Sequence, residues 1–291
     1  HLHFNSLPLV PLRMASPYLS AGQYAKNNSL QRKHNNAVLN FCQSAFFTEP
    51  KDTMQFLYVG CGTGDFTRDC LLPRCSPCRR IVAVDFSSEM IQFAKTNFAH
   101  EKLEYHVLDI SGDANNFRNQ FGQFHRVYSF YCLQWVQDQA AAFRNIASLL
   151  TVGGQCLLVF PATQQPATIW NLLASMDRWA KYSETLLAFI SRTHYMTEKE
   201  EQIRYTSSLL HKAGLTPTIF AFTRLAAFDH LTEKEIIAAH MSLLPIIQLV
   251  TDDERAQLLD DVTTLVRKIH GPETDPSTFG IFIIMASKRK D

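Results

Sequence analysis

The sequence predicts an α/β fold, a mostly parallel seven-stranded sheet with helices on both faces, and three observations predict it. Short apolar runs such as FLYV (56–59) and IVAV (81–84) read as strands buried on both faces. Through the first 160 residues these runs alternate with segments of helical periodicity, which builds parallel strands through helical crossovers. The first strand breaks into Gly60, Gly62 and Gly64, a tight turn at the strand end where open sheets of this kind bind ligands.

The elements follow in order. Leu30, Ala37, Val38, Phe41, Cys42 and Ala45 fall at helical spacing, so residues 28–47 read as a helix. Strand 56–60 leads through the glycines to a helix over 65–72, expected to stop before Pro73. Strand 81–85 is followed by helix 87–99, which opens with a Ser N-cap signal. Strands 103–109 and 124–132 precede helix 139–150, and Gly153-Gly154 turn the chain into strand 155–160. The rhythm then changes: 161–196 reads as helical and carries Trp170, Trp179, Tyr182 and Phe189. Helix 198–212, with Gly214 as its C-cap, leads to strand 217–226. Helices 231–243 and 252–270 bracket LLPIIQLV, and strand 278–287 comes last. The extra helices fall in two inserts, about 162–196 and 228–275, of one domain spanning 18–291. Residues 1–17 are expected to be a disordered leader: 1–13 precede the first methionine, Met14, and lack the features of a signal peptide.

Composition narrows the function. A chain of 291 residues, 46% hydrophobic, is globular, and a net charge of +1 lacks the clustered basic face that nucleic acid requires. KRK at 288–290 reads as a solvated tail. No apolar run reaches the roughly 18–20 residues of a membrane span. Seven cysteines, an odd number, suit a reducing compartment, so a cytoplasmic protein is expected. Cys70, Cys75 and Cys78 have C-x4-C-x2-C spacing but no evident fourth ligand, and Pro73 and Pro77 mark a loop. They read as unliganded surface thiols, and no metal is expected.

The glycines discriminate among cofactors. No Gly-Lys-[Ser/Thr] follows, which excludes a P-loop, and Asp65 stands where a nicotinamide fingerprint wants its last glycine. A carboxylate at a helix N-terminus repels a phosphate and suits a positive group such as an α-ammonium. Asp85, ending the second strand, is placed to accept both ribose hydroxyls of an adenosine. Asp109, ending the third, can accept from adenine's amino group, with Ile110 packing on the ring. Ammonium, ribose and adenine together describe S-adenosylmethionine.

VGCGTGD, the VD and LD strand ends and GGxxLLVF resemble the class I S-adenosylmethionine-dependent methyltransferases. The resemblance implies a Rossmann-like sheet whose last strand, 278–287, runs antiparallel beside the fifth. It also implies a cofactor site built from Tyr24, Gly60, Cys61, Gly62, Gly64, Asp85, Phe86, Asp109, Ile110 and Ser129. YAKNNSLQRK (24–33), LDISGD (108–113) and VYSFYCLQWVQDQAAAFRNIASLL (127–150) further resemble the juvenile hormone acid methyltransferases of arthropods, over about 18–160. That family methylates the carboxylate of a sesquiterpenoid acid. Its carboxylate-holding Gln and Trp match Gln31 and Trp135, the expected catalytic pair, with Gln134 and Trp170 as further substrate contacts. Many relatives have Leu-His-Trp where this chain has Leu133-Gln134-Trp135, a difference that can shift acid preference or rate.

Those residue types suit the chemistry. A carboxylic acid of pKa about 4–5 is ionised at neutral pH and needs no general base. Its negative charge falls as the ester forms, so a buried Arg would hold the ground state more tightly than the transition state. Neutral donors, the Trp135 indole and the Gln31 amide, orient the acid without that penalty. The insert aromatics and MSLLPIIQL (241–249) can line a long apolar pocket. The expected partner is a small hydrophobic carboxylic acid, and a homodimer is compatible with the reading. The alternatives are methylation of another small acid, and a non-catalytic homologue that binds cofactor or lipid.

Overall fold

The computed structural model describes residues 21–226, 232–269 and 278–289. The expected leader 1–17 and parts of the second insert lie outside them. Two helices, α1 (Ala21–Asn27) and α2 (Ser29–Cys42), precede β1 (Gln55–Val59). Then come α3 (Leu72–Cys75), β2 (Arg80–Asp85), α4 (Ser88–Asn97), β3 (Leu103–Val107) and α5 (Asn115–Phe121). The central half closes with β4 (Phe124–Phe130), α6 (Gln139–Leu149) and β5 (Leu150–Pro161). Two short helices, α7 (Gln165–Ala174) and α8 (Ser183–Leu187), lead to α9 (Lys199–Lys212) and β6 (Leu215–Ala226). The chain ends through α10 (Glu233–Ser242), α11 (Asp252–Ile269) and β7 (Thr278–Lys288).

The strands form one sheet in the order β3-β2-β1-β4-β5-β7-β6. The first five run parallel, and β7 is antiparallel between β5 and β6. Alternation along each strand feeds two cores. Leu57, Val59, Val82, Val84, Val127, Leu158 and Phe282 face one, covered by α5, α6 and α9. Phe56, Tyr58, Ile81, Ala83, Tyr128, Val159 and Met285 face the other, beneath α2, α3 and α4. The chain reverses direction between β1 and β4, so a crevice opens at their carboxyl ends.

The Ser87 cap is as expected, accepting from Met90 N–H, and Asp138 caps α6 by accepting from Ala141 N–H. Several expectations need correction. The helix after the glycines continues to Cys75. A π turn over Thr67–Leu71, with Leu72 N–H on Thr67 O, carries it past Pro73, which has no N–H to offer. Cys70, Cys75 and Cys78 are buried in the core rather than exposed, and burial raises the Cys75 thiol to about 12. Among the described residues no group of three or more His, Cys, Asp or Glu is placed to hold a metal, and no helix is long and apolar enough to cross a membrane. Of the basic end, residue 290 lies outside the described residues, and the other two residues are not a solvated tail. Lys288 Nζ donates to Leu150 O at 3.0 Å and Arg289 Nε to Thr216 Oγ1 at 2.9 Å, fastening β7 to its neighbours. Finally, β3 stops at Val107, which leaves Asp109 in a loop.

The two insert segments share a third core, separate from the sheet. Trp170, Leu173, Trp179, Leu186 and Ile190 from the first meet Leu244, Ile246, Leu258, Val262 and Val266 from the second. Two insert aromatics expected to line a pocket instead knit the segments together. Trp179 Nε1 donates to Asp261 at 2.8 Å and Tyr182 OH to Glu254 at 2.9 Å.

Candidate active site

The glycine turn satisfies its own backbone. Gly60 and Cys61 N–H both donate to Val84 O, at 2.8 and 3.0 Å, and Gly64 N–H donates to Cys61 O at 3.1 Å. Gly62 N–H donates to the Asp85 carboxylate at 3.0 Å. A loop whose amides are spent this way makes a poor cradle for phosphate, which binds through unpaired N–H groups. Two of these glycines are demanded by geometry. Gly60 has φ +77°, and a Cβ there would lie 2.3 Å from Cys132 Cβ. Gly62 has φ +53°, with the Tyr24 ring 3.5 Å from where its Cβ would be, so Tyr24 lies over the turn.

Asp85 ends β2 beside this turn. Its two oxygens accept one backbone N–H each, from Gly62 and from Ser87, both at 3.0 Å. Burial raises its pKa above the ordinary value, and those N–H groups pull it back. A carboxylate so oriented keeps lone pairs on both oxygens for a pair of ligand hydroxyls. Phe86 follows it, partly exposed, with Phe189 of the cap 5.9 Å away. Ser129 is buried in β4, in register with Val59, and Cys61 is buried with its thiol pushed well up by desolvation. Asp109 is exposed, and its Oδ1 is held by Ser111 N–H and Oγ at 2.9 and 2.7 Å. Ile110 is buried, in the same core as Ala114 and Phe117.

Asp65 departs from expectation. It is buried and fully engaged: Arg32 Nη1 donates at 2.8 Å, Asn28 Nδ2 at 3.0 Å and Thr63 Oγ1 at 2.7 Å. It therefore ties α2 to the glycine turn instead of presenting a carboxylate to an ammonium. The signal for this was in α2 itself. Asn28, Arg32, Asn35, Leu39 and Cys42 lie on one helical face that passes from polar to apolar along its length. The apolar end packs on the sheet, and the polar end reaches the crevice.

Gln31 lies on the polar half of α2, where its Oε1 accepts from Tyr24 OH at 3.0 Å. The donor side of the amide is what remains for a ligand. Across the crevice, the turn after β4 carries Tyr131 at φ +51°, then Cys132, Gln134 and Trp135. Tyr131 OH meets His34 Nδ1 of α2 at 2.9 Å, a pair that sequence reasoning missed because left-handed backbone at a tyrosine leaves no trace in composition. Burial lowers the His34 pKa. Two other histidines lie away from the crevice: His106 faces Glu104 and Phe121, and His125, at the amino end of β4, accepts from Gln55 N–H.

Trp135 stacks on Trp170 of the cap, with centroids 5.1 Å apart and rings 27° from parallel. Gln164 Nε2 donates to Gln134 O at 3.1 Å along the same seam. Gln134 Oε1 and Trp170 Nε1, both buried, meet no hydrogen-bond partner among the described residues. Such groups cost about 1–3 kcal/mol each unless a ligand or water satisfies them.

Comparison with known proteins fits this geometry. A family described as "Methyltransferase domain" matches residues 56–154. The juvenile hormone acid O-methyltransferase of Drosophila melanogaster is 28% identical over 252 residues, covering 84% of this chain and 82% of that protein. Its Bombyx mori counterpart is 30% identical over 185 residues, covering 64% and 66%. Among solved structures, a Haemonchus contortus phosphoethanolamine N-methyltransferase 2, in complex with phosphomonomethylethanolamine and S-adenosylhomocysteine, aligns with a TM-score of 0.52. It is 15% identical and covers 93% of this chain and 57% of that one, a likeness of fold alone.

Proposed function

Because the chain belongs to the class I S-adenosylmethionine-dependent methyltransferases, we propose that it methylates the carboxylate of a hydrophobic isoprenoid acid of the farnesoic or juvenile hormone acid kind. S-adenosylmethionine supplies an electrophilic methyl group on a sulfonium. The residues fit it: Asp85 for the ribose hydroxyls, the self-satisfied turn at Gly60, Gly62 and Gly64 where no phosphate need be held, and Tyr24 over that turn. Phe86, Cys61, Ser129 and the loop at Asp109 and Ile110 complete the surroundings.

One observation carries the acceptor assignment. Tyr24 takes the Gln31 oxygen, while Arg32, the next residue, spends its charge on Asp65. An acceptor beside α2 thus meets a neutral N–H donor rather than a cation. Trp135, across the crevice, is the second neutral donor. This arrangement suits a carboxylate that arrives ionised and loses its charge in the transition state. Gln31 and Trp135 orient one oxygen toward the methyl carbon, and the cap excludes water from the encounter. Trp170 and Gln134 border the seam where the apolar chain of the acid enters. The names of the two insect relatives agree with this acceptor, and the apolar cap core disfavours a polyanionic acid.

The test is a panel of carboxylic acids incubated with labelled methyl donor: farnesoic acid, a medium-chain fatty acid, an aromatic acid and a tricarboxylic acid. Methyl ester from farnesoic acid in excess over the others is expected. Preferential turnover of the tricarboxylic acid would remove the isoprenoid reading, and absence of any ester with intact cofactor binding would favour a non-catalytic role.

A further inference from the structure

The helix that carries Gln31 is fastened at two points around that residue. Arg32 and Asn28 grip the buried Asp65, which joins α2 to the glycine turn. One helical turn past Gln31, His34 meets Tyr131 OH at 2.9 Å with the rings edge-on at 5.6 Å. This second contact joins α2 to the turn that carries Trp135. Tyr131 reaches it from φ +51°, a backbone region that a bulky residue occupies only when its surroundings insist. The other half of the helix docks separately, with Val38, Leu39 and Cys42 buried in the sheet core.

We propose that Arg32 and the His34–Tyr131 pair are positioning residues that act through Gln31. They hold its amide at a fixed place relative to both the glycine turn and the Trp135 turn. The inference rests on the reading of Gln31 as an orienting donor. Methyl transfer requires a narrow in-line geometry, and a displacement of about 1 Å by a change outside the chemistry can cost on the order of 100-fold. Tyr24 sets which end of the Gln31 amide is available, and the two clamps set where that end lies.

Double-mutant cycles separate this role from a purely structural one. Arg32→Gln and Tyr131→Phe are each made alone and with Gln31→Ala. The measurements are kcat and KM for farnesoic acid, or for whichever panel acid turns over fastest, and S-adenosylhomocysteine affinity by calorimetry. Each single change is expected to lower kcat about 10- to 30-fold, with KM moving less than about three-fold because the apolar tail sets affinity. Combined with Gln31→Ala, each should add less than about two-fold, since its effect travels through the missing amide. S-adenosylhomocysteine affinity should stay within about three-fold for Tyr131→Phe, whose hydroxyl meets His34 and not Asp85 or the glycine turn. Arg32→Lys should restore part of the loss, and it carries the same cycle should Arg32→Gln lower the unfolding midpoint. Equal losses with and without Gln31 would overturn the proposal, as would cofactor affinity falling in step with kcat in Tyr131→Phe. If Gln31→Ala alone leaves turnover intact, the reading of Gln31 fails and this one with it. If Gln31→Ala is slow but the losses add, only the clamps fail.

Discussion

Asp85 accepts two backbone N–H groups before any ligand is considered, and this fixes the plane of its remaining lone pairs. Replacing it with Ala should weaken S-adenosylmethionine binding by about 2–4 kcal/mol, the loss of a charged acceptor for two hydroxyls. Unchanged affinity by calorimetry would take Asp85 out of the site. Only the ionised carboxylate can accept from both hydroxyls. Because burial raises its pKa, protonation on acidification begins at a higher pH than for an ordinary aspartate. Cofactor affinity should therefore fall as pH drops, starting above the ordinary value of 3.8, and Asp85→Asn should flatten that fall. Trp135→Phe keeps the stack on Trp170 and deletes the indole N–H. It should lower kcat/KM on the order of 10–1000-fold while cofactor affinity barely moves. The wild-type rate should stay flat from about pH 6 to 8, since the acceptor is ionised throughout. Near-normal activity in Trp135→Phe, or a rise with a midpoint near 7, would contradict neutral orientation. The place of Asp85 beside the glycine turn was legible because it ends the strand that runs parallel to β1, next to the turn. Asp65 was misjudged because its partners, Asn28 and Arg32, lie more than thirty residues away on α2, and the polar end of that helical face had to be paired with it.

At the scale of elements, α2 shows how one face can serve two environments. Its spacing identified a helix, yet the polar residues interrupting the apolar stripe were the informative ones. β4 poses the opposite case, a cation inside a central strand. Arg126 is buried, with its guanidinium 3.9 Å over the Phe46 ring, Nη1 on Tyr128 OH at 3.1 Å and Nη2 on Thr48 O. These are neutral partners, and desolvating a charge offsets much of what they contribute. Arg126→Met, which fills the space, should lie within about 1 kcal/mol of the wild type in urea unfolding. Arg126→Ala, which leaves a cavity, should lose about 2–4 kcal/mol. Equal damage from both would mean that the charge, rather than the volume, holds this corner. The π turn before Pro73 was equally hidden, because a proline in the sequence argues for an end and only the surrounding contacts make continuation cheaper.

For the whole molecule, the alternation of apolar runs and helical segments made the sheet legible, since each strand announces itself by local burial. The union of the two inserts was not. Trp170 and Val262 belong to one core, but nothing local to either segment says that the other will arrive. That union leaves the protein with a cap whose interior is its own, meeting the rest of the fold at Trp135–Trp170, Gln134–Gln164 and Phe86–Phe189 and, on α9, through Gln202 Nε2 donating to Thr193 O and Met196 O. A body with its own interior can open without disturbing the interior of the sheet. In native-state hydrogen exchange, the amides of α7 and α11 should exchange together and at lower free energy than those of β1 and β4. Cofactor alone should slow exchange chiefly near Phe86 and the glycine turn. Adding acceptor should slow the cap as a block, because an acid lying along the seam closes the way by which it entered. Uniform exchange across cap and sheet would mean instead that the two interiors melt as one.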